Sequence, residues 1–133
     1  MNTPKCNNLF GIFKGCGSLL YADLSNWTLS KVSSVSSMFI GCRRVSTIIL
    51  PKGLRPRYAS DMFSNCTDLT QVNIKDIDFS QCIDMSDAFA YCWGLTVIPS
   101  LDTGRCNRLD SIFYDCNNIV RVEGIDMKSV TNN

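Results

Sequence analysis

Apolar residues recur along this chain in a pattern that repeats five times. Each copy is centred on Phe-x-x-Cys, and successive phenylalanines lie 26, 24, 26 and 24 residues apart: Phe13, Phe39, Phe63, Phe89 and Phe113. A unit of this length cannot bury a core alone, so the copies must stack and share one. The spacing predicts one domain over residues 1–133, a solenoid of about five repeats of 24–26 residues that can belong to a longer array.

The residues before each phenylalanine have helical spacing. In the second repeat Val35, Met38 and Phe39 stand at positions i, i+3 and i+4, which form one stripe of a helix. Residues that tolerate a left-handed backbone, and are therefore typical of a helix end, stand two places after the phenylalanine in four repeats: Gly15, Gly41, Asn65 and Asp115. The pattern predicts a two-turn helix in every repeat.

After each cysteine the apolar period changes from helical to extended. Ala22 and Leu24 in the first repeat, and Ile48 and Leu50 in the second, alternate with outward residues, as in a half-buried strand. In the last two repeats the third apolar residue comes one place late, at Leu101 and Ile125, which predicts a bulge or an early bend, with Pro99 helping to end the pairing. The predicted fold class is therefore α/β, a leucine-rich-repeat solenoid with a short helix and a short parallel strand in each repeat.

Three segments carry a resemblance to a known family. They are Met62-Phe63-Ser64-Asn65-Cys66-Thr67-Asp68-Leu69, Ile98-Pro99-Ser100-Leu101-Asp102-Thr103 and Met127-Lys128-Ser129-Val130-Thr131-Asn132. Nearly the whole chain resembles the BspA-like leucine-rich repeat family, including its branch of bacterial surface-protein repeats of unknown function. The resemblance implies a right-handed solenoid with a parallel strand ladder, and it implies that the protein binds a ligand. Its members occur in bacterial and protozoan surface proteins, some of them adhesins, and in phages; the family offers no catalytic residues.

Charge and composition argue against several classes of function. The formal net charge is +1, which argues against a general binder of nucleic acid or anionic membranes. The chain has no histidine, the commonest acid or base in catalysis, and no glycine-rich phosphate loop. Closely spaced aspartates occur, but short-loop carboxylates are usually turn residues. The sequence therefore predicts a protein that is not an enzyme and uses no cofactor.

The eight cysteines allow a disulfide, a metal site or buried thiols. Three pairs are ten residues apart: Cys6 and Cys16, Cys82 and Cys92, Cys106 and Cys116. The predicted helix between the members of each pair separates them too far for a disulfide without a bend in the return loop. Zinc is disfavoured because closely spaced cysteine pairs and histidine are absent. We expect free thiols packed as small apolar side chains, and no metal.

Two surfaces are candidates for binding. The first is the outward face of the predicted strands, where aromatic, apolar and charged residues mix as they do in protein interfaces: Tyr21, Thr47, Ile49, Gln71, Asn73 and Arg121. The second is a run of five bases without an intervening acid, which suits a sulfated or phosphorylated glycan or an acidic protein: Arg43, Arg44, Lys52, Arg55 and Arg57. A solvated loop also explains such a run.

These features predict a non-enzymatic module that binds a protein or a glycan, for adhesion or recognition at a cell surface. A structural virion component, such as a phage fibre or decoration protein, is the first alternative, and an intracellular interaction scaffold is the second. No membrane-spanning segment or signal peptide is recognisable, so we expect the chain to act within a larger surface protein or a virion. A sixth repeat begins at Ile125, which allows end-to-end contact with further repeats or another subunit.

Overall fold

A computed structural model describes residues 7–123, and it corrects the predicted fold class. These residues contain no α-helix; apart from one turn of 3₁₀ helix at Ile74–Asp76, their regular structure is five strands of two or three residues in two small sheets. The predicted α/β leucine-rich-repeat solenoid, with a helix in each repeat, is therefore wrong. The predicted helices are irregular turns at residues 10–15, 36–41, 60–65, 86–91 and 110–115, here called the Phe turns.

Left-handed residues explain why the Phe turns are not helical. Each turn has a positive φ two residues before its phenylalanine and again two residues after it, for example 56° at Ser37 and 76° at Gly41. A right-handed helix needs a negative φ at every position, so two left-handed residues four apart cannot belong to one. The other turns place the same conformation at Gly11 and Gly15, Asp61 and Asn65, Asp87 and Tyr91, and Ser111 and Asp115.

The backbone hydrogen bonds of the Phe turns alternate between two kinds of partner. In the second turn the amides of Ser37 and Phe39 donate to carbonyls of the next repeat, Ser60 at 2.8 Å and Met62 at 2.9 Å. The intervening amides donate three residues back, as Met38 does to the Val35 carbonyl at 3.1 Å. A helix would satisfy these groups internally. Here half of them join neighbouring repeats, so each Phe turn is held by the next.

The strands lie on the other side of each repeat. They are β1 Tyr21–Asp23, β2 Thr47–Ile49, β3 Gln71–Val72, β4 Val97–Ile98 and β5 Arg121–Val122. Pairing is parallel throughout, with β1, β2 and β3 in one sheet and β4 and β5 in another. The register places equivalent residues of successive repeats side by side. β4 ends at Ile98, directly before Pro99.

The core between the Phe turns and the strands contains the stacked phenylalanines predicted from the repeat. Rings of successive repeats lie 5.1–6.0 Å apart between centroids and within 22° of parallel, from Phe13 to Phe113. The three central rings, Phe39, Phe63 and Phe89, are at most 1% exposed. Stacked rings at this distance add to the free energy that their burial provides.

The cysteines of the Phe-x-x-Cys motif tie each repeat to the one before it. The Cys66 thiol donates to the Phe39 carbonyl at 3.2 Å, and the Cys92 thiol donates to the Phe63 carbonyl at 3.1 Å. Burial raises the pKa of both thiols, so they stay protonated. Within residues 7–123 the cysteines are free thiols, and Cys6 lies outside the described residues. The predicted burial holds for Cys42, Cys66, Cys82, Cys92 and Cys106, whereas Cys116 is half-buried and Cys16 is exposed.

Candidate functional site

The predicted outward ladder exists where strands pair. The Cα register aligns Tyr21 with Thr47 and Thr47 with Gln71 in the first sheet. In the second sheet it aligns Val97 with Arg121. The side chains are exposed or half-buried, whereas the alternate residues Ala22 and Ile48 are buried. The strands therefore form a face along the stack, which we call the strand face.

The strand face is interrupted between the third and fourth repeats. β3 and β4 belong to different sheets, although the Phe turns of the same repeats are joined, with the Phe63 amide 2.8 Å from the Ala88 carbonyl. Just before β4 the two repeats come very close: a Cβ on Gly94 would lie 2.5 Å from the Leu69 carbonyl oxygen. Repeats three and four therefore touch tightly beside the core and separate where the strands begin.

A cavity of about 390 Å³ opens at this interruption. Its volume falls within the ~300–1,000 Å³ typical of ligand pockets, and its mixture of apolar walls and a few polar groups is also typical. None of the lining residues is charged: Thr47, Ile48, Ile49, Thr70, Gln71, Val72, Asn73, Ile74, Leu95, Val97 and Pro99. Four predicted strand-face residues, Thr47, Ile49, Gln71 and Asn73, come together in this lining.

The Asn73 side chain joins two repeats at the edge of the cavity. Its Oδ1 accepts from the Leu50 amide at 2.7 Å, and its Nδ2 donates to the Leu50 carbonyl at 2.9 Å. The same Nδ2 donates to Asp76 at 3.1 Å. The carboxamide thus continues the pairing between the second and third repeats beyond the last residue of β3. Its polar atoms are engaged, and Gln71 is left as the exposed amide on this part of the face.

The two outer members of the predicted site lie outside the cavity lining, each on the strand next to a lining residue, Tyr21 beside Thr47 and Arg121 beside Val97. Tyr21, on β1, is 54% exposed, and it does not line the cavity. Arg121, on β5, forms an ion pair with Glu123, with Nε 3.0 Å from Oε1. This pair is largely exposed, so it contributes little to stability. The structure groups the central four residues and leaves these two at opposite ends.

The five bases divide between two turns on either side of β2. Arg43 and Arg44 occupy the turn before β2, and Lys52, Arg55 and Arg57 follow it. All five are exposed, and Arg55 pairs with Asp78 at 3.2 Å. None of them lines the cavity. The possible anion patch is therefore separate from the cavity site, and Asp78 partly neutralises it.

Carboxylates cluster on the Phe-turn side, and two of them, Asp61 and Asp87, stand at left-handed positions. Burial raises the pKa of Asp61, and the neighbouring carboxylates Asp87 and Asp84 raise it further. Burial and Asp110 do the same for Asp87. Within residues 7–123 no group of three or more metal-ligating side chains is arranged to hold a metal ion. These acids lie outside the cavity lining.

Part of this site was missed from the sequence. Val97 and Pro99 were not included in the predicted site, although both line the cavity. The break in the sheet depends on how two repeats approach, which no single strand encodes. Gly94 is the best signal for it: at this position the other repeats have Ser18, Arg44, Asp68 and Asn118.

A protein-family model matches most of this chain. The family described as Mycoplasma protein of unknown function, DUF285, matches residues 1–50 and 57–133. The chain belongs to this family. Comparisons with curated proteins and with solved structures find no match. The DUF285 match covers all five Phe turns but assigns no activity, and the resemblance to BspA-like repeats stays a prediction.

No helix among residues 7–123 of this DUF285 chain has the length and apolar character needed to cross a membrane.

Proposed function

We propose that the chain is a non-enzymatic binding module whose strand face takes a protein or glycan partner at the cavity between β3 and β4. The observation that carries the proposal is the coincidence of the cavity with Thr47, Ile49, Gln71 and Asn73, which the repeat pattern alone had selected. Surface adhesion or recognition is the role that we propose for this binding. It remains consistent with the resemblance to BspA-like repeats.

The chemistry of the cavity favours an uncharged group. Apolar walls, including Ile49, Val72 and Val97, surround it, and its exposed polar residues are Thr70, whose hydroxyl donates to the Ser46 carbonyl, and Gln71. An apolar or aromatic side chain of a protein partner would gain by leaving water, and the Gln71 amide could hydrogen-bond its backbone. A charged group would lose hydration without finding a counter-charge. A protein partner is therefore preferred, and an uncharged sugar ring is the second choice.

Because no ligand is known, the probes for a binding test must first be selected from libraries. A random linear peptide library and a glycan array, each screened against the whole chain, would supply them. We expect peptides with an apolar or aromatic anchor. Changing Gln71→Lys together with Val97→Lys places two charges at the cavity mouth, and it should weaken the selected peptides at least about tenfold, or about 1.4 kcal/mol.

Matched variants make the outcome decisive. Gln81→Lys is the same chemical change at an exposed turn residue that does not line the cavity, and it should leave binding unchanged. The proposal is wrong if the selected probes bind the cavity variant as tightly as the parent chain. If Arg43→Ala/Arg44→Ala lost binding while the cavity variant kept it, the binding site would be formed by the basic residues and not by the cavity.

A further inference from the structure

The separation between β3 and β4 is wider than a strand pair. Every Cα atom of Gln71–Val72 lies more than 8 Å from every Cα atom of Val97–Ile98. Paired strands lie about 4.8 Å apart, so two strand spacings come to about 9.6 Å. The opening between these two strands, which we call the strand gap, is therefore too wide for direct pairing, and one inserted strand would bridge it.

Backbone groups on both edges of the strand gap lack partners within residues 7–123. Where β4 meets β5, the Arg121 amide donates to the Thr96 carbonyl at 3.3 Å. The equivalent bond from the Val97 amide to the Thr70 carbonyl is not formed, and neither group has another backbone partner in this part of the chain. An unpaired donor and an unpaired acceptor therefore face each other across the gap.

Pro99 keeps a second acceptor open. Where β4 pairs with β5, the Glu123 amide donates to the Ile98 carbonyl at 2.8 Å. Pro99 stands at the position of Glu123 in the fourth repeat, ten residues after the phenylalanine, and a proline has no amide hydrogen to donate. The fourth repeat cannot supply the corresponding bond to the Val72 carbonyl. This carbonyl therefore needs another donor, from water or from a partner.

The apolar row that faces the core is also uncovered at the strand gap. In the first four repeats the strand residue of this row is Ala22, Ile48, Val72 or Ile98. Val72 is half-buried, whereas the other three are at most 6% exposed. An apolar side chain that entered the gap would cover this edge of the core and would itself leave water.

We infer that the strand gap binds one extended segment of a partner protein, which enters as an additional strand between β3 and β4. This inference rests on the proposed function and identifies the partner's contact as a strand that completes two open sheet edges. Successive residues of a strand turn their backbone groups to opposite sides, so one residue of the segment would pair with β3 and the next with β4. Its alternate side chains would lie beside Val72.

The edges and walls of the gap define the segment. The Thr70 and Val72 carbonyls offer two acceptors on β3, and the Val97 carbonyl offers one on β4, so three consecutive amides of the segment would find acceptors. No charged side chain lines the cavity, so the inward residues of the segment should be apolar. A glycan has no row of backbone amides at this spacing, so a peptide fits the two edges better.

The probes are the peptides selected against the whole chain that lose binding in Gln71→Lys/Val97→Lys. Each peptide is remade with an ester in place of one backbone amide at a time, which removes a donor without adding bulk. Three consecutive esters should each weaken binding at least about fivefold through the lost hydrogen bond. Esters outside this run should have little effect.

Amide hydrogen exchange in the whole chain gives a second readout. The Gln71 amide donates toward β2, to the Ser46 carbonyl at 3.1 Å, so the next amide, that of Val72, faces the strand gap. The Val72 and Val97 amides should exchange more slowly when the peptide is bound, because its carbonyls accept from them. The Gln81 amide, outside the cavity, is the control and should not change. Unchanged exchange at both valines with the peptide bound would contradict the inference.

The outcomes separate this inference from the proposed function. If the selected peptides lose binding in the cavity variant but tolerate every ester, the cavity is a binding site and the inserted strand is wrong. The same conclusion follows if glycans alone depend on the cavity. If neither peptides nor glycans depend on it, both the proposed function and the inserted strand are wrong.

Discussion

The Phe-turn side and the strand side of this molecule are built from the same repeats but tolerate irregularity differently. On the Phe-turn side, hydrogen bonds and stacked rings run without a break through all five repeats. On the strand side, pairing stops between β3 and β4 and a cavity opens. Buried aromatic stacking leaves no freedom in the spacing of repeats, whereas strands of two or three residues contribute few bonds. The continuous side thus holds the repeats together and lets the other side open.

Removing a central ring should damage the continuous side most. Phe63 is 1% exposed and stacks on Phe39 at 6.0 Å and on Phe89 at 5.3 Å. Phe63→Ala should lower the free energy of unfolding by about 3–5 kcal/mol through lost transfer energy and a cavity. Urea unfolding measures this change. Phe113→Ala is the matched control at a half-buried end of the stack, and it should cost clearly less; equal costs would mean that the ladder is not a continuous core.

The phenylalanine ladder could be predicted from sequence because identical residues at a fixed interval stack on one another. The helices were predicted wrongly because a Phe turn and a helix bury the same positions. Val35, Met38 and Phe39 are buried in the turn as they would be on a helix stripe. The sequence signal against a helix lay two residues before each phenylalanine, where Gly11, Asp61 and Asp87 favour turns. Ser37 and Ser111 at the same position carry a weaker signal.

The close approach beside the cavity should be the next most sensitive point. Gly94→Ala would place a Cβ 2.5 Å from the Leu69 carbonyl oxygen, and a backbone atom cannot rotate away. Repeats three and four would have to separate, at a cost toward the upper end of the usual range for overpacking, about 3 kcal/mol. Urea unfolding should show this loss.

The control for this prediction is Gly17→Ala. The nearest atom to a Cβ there is the Gly15 carbonyl oxygen at 3.9 Å, so unfolding should be almost unchanged. If Gly94→Ala were as stable as the parent chain, the third and fourth repeats would not be in tight contact. The strand break would then need another cause.

A variant of Asn73 tests whether the pairing between the second and third repeats depends on its side chain. Asn73→Ala would leave the buried Leu50 without its side-chain donor and acceptor, which should cost about 1–3 kcal/mol. Amide hydrogen exchange should show faster exchange at Leu50 than in the parent chain. Gln71→Ala, at an exposed strand-face residue, should leave that exchange unchanged. If the Leu50 amide exchanged at the same rate in the two variants, the Asn73 side chain would not hold the second and third repeats together.

The smallest effect is expected on the Phe-turn side, where Asp61 combines a left-handed backbone with a carboxylate that burial and nearby acids disfavour. Its pKa in the folded chain is raised above the ordinary 3.8, so its charge destabilises the fold above the raised pKa. This penalty disappears as the pH falls below 3.8. Asp61→Asn keeps a residue that tolerates positive φ and removes the charge. It should stabilise the fold by roughly 0.5 kcal/mol near pH 7, a small gain because the carboxylate is partly solvated.

Urea unfolding of Asp61→Asn at about pH 7 and about pH 3 separates charge from backbone conformation, because only the charge contribution depends on pH. The gain should be present at the higher pH and absent at the lower one. Asp68→Asn, at an exposed turn residue, is the control and should change stability little at either pH. A gain of equal size at both pH values would assign the effect to the left-handed turn. In that case repulsion among the Phe-turn carboxylates would make no measurable contribution, and the continuous side would owe its stability at neutral pH to packing and backbone bonds alone.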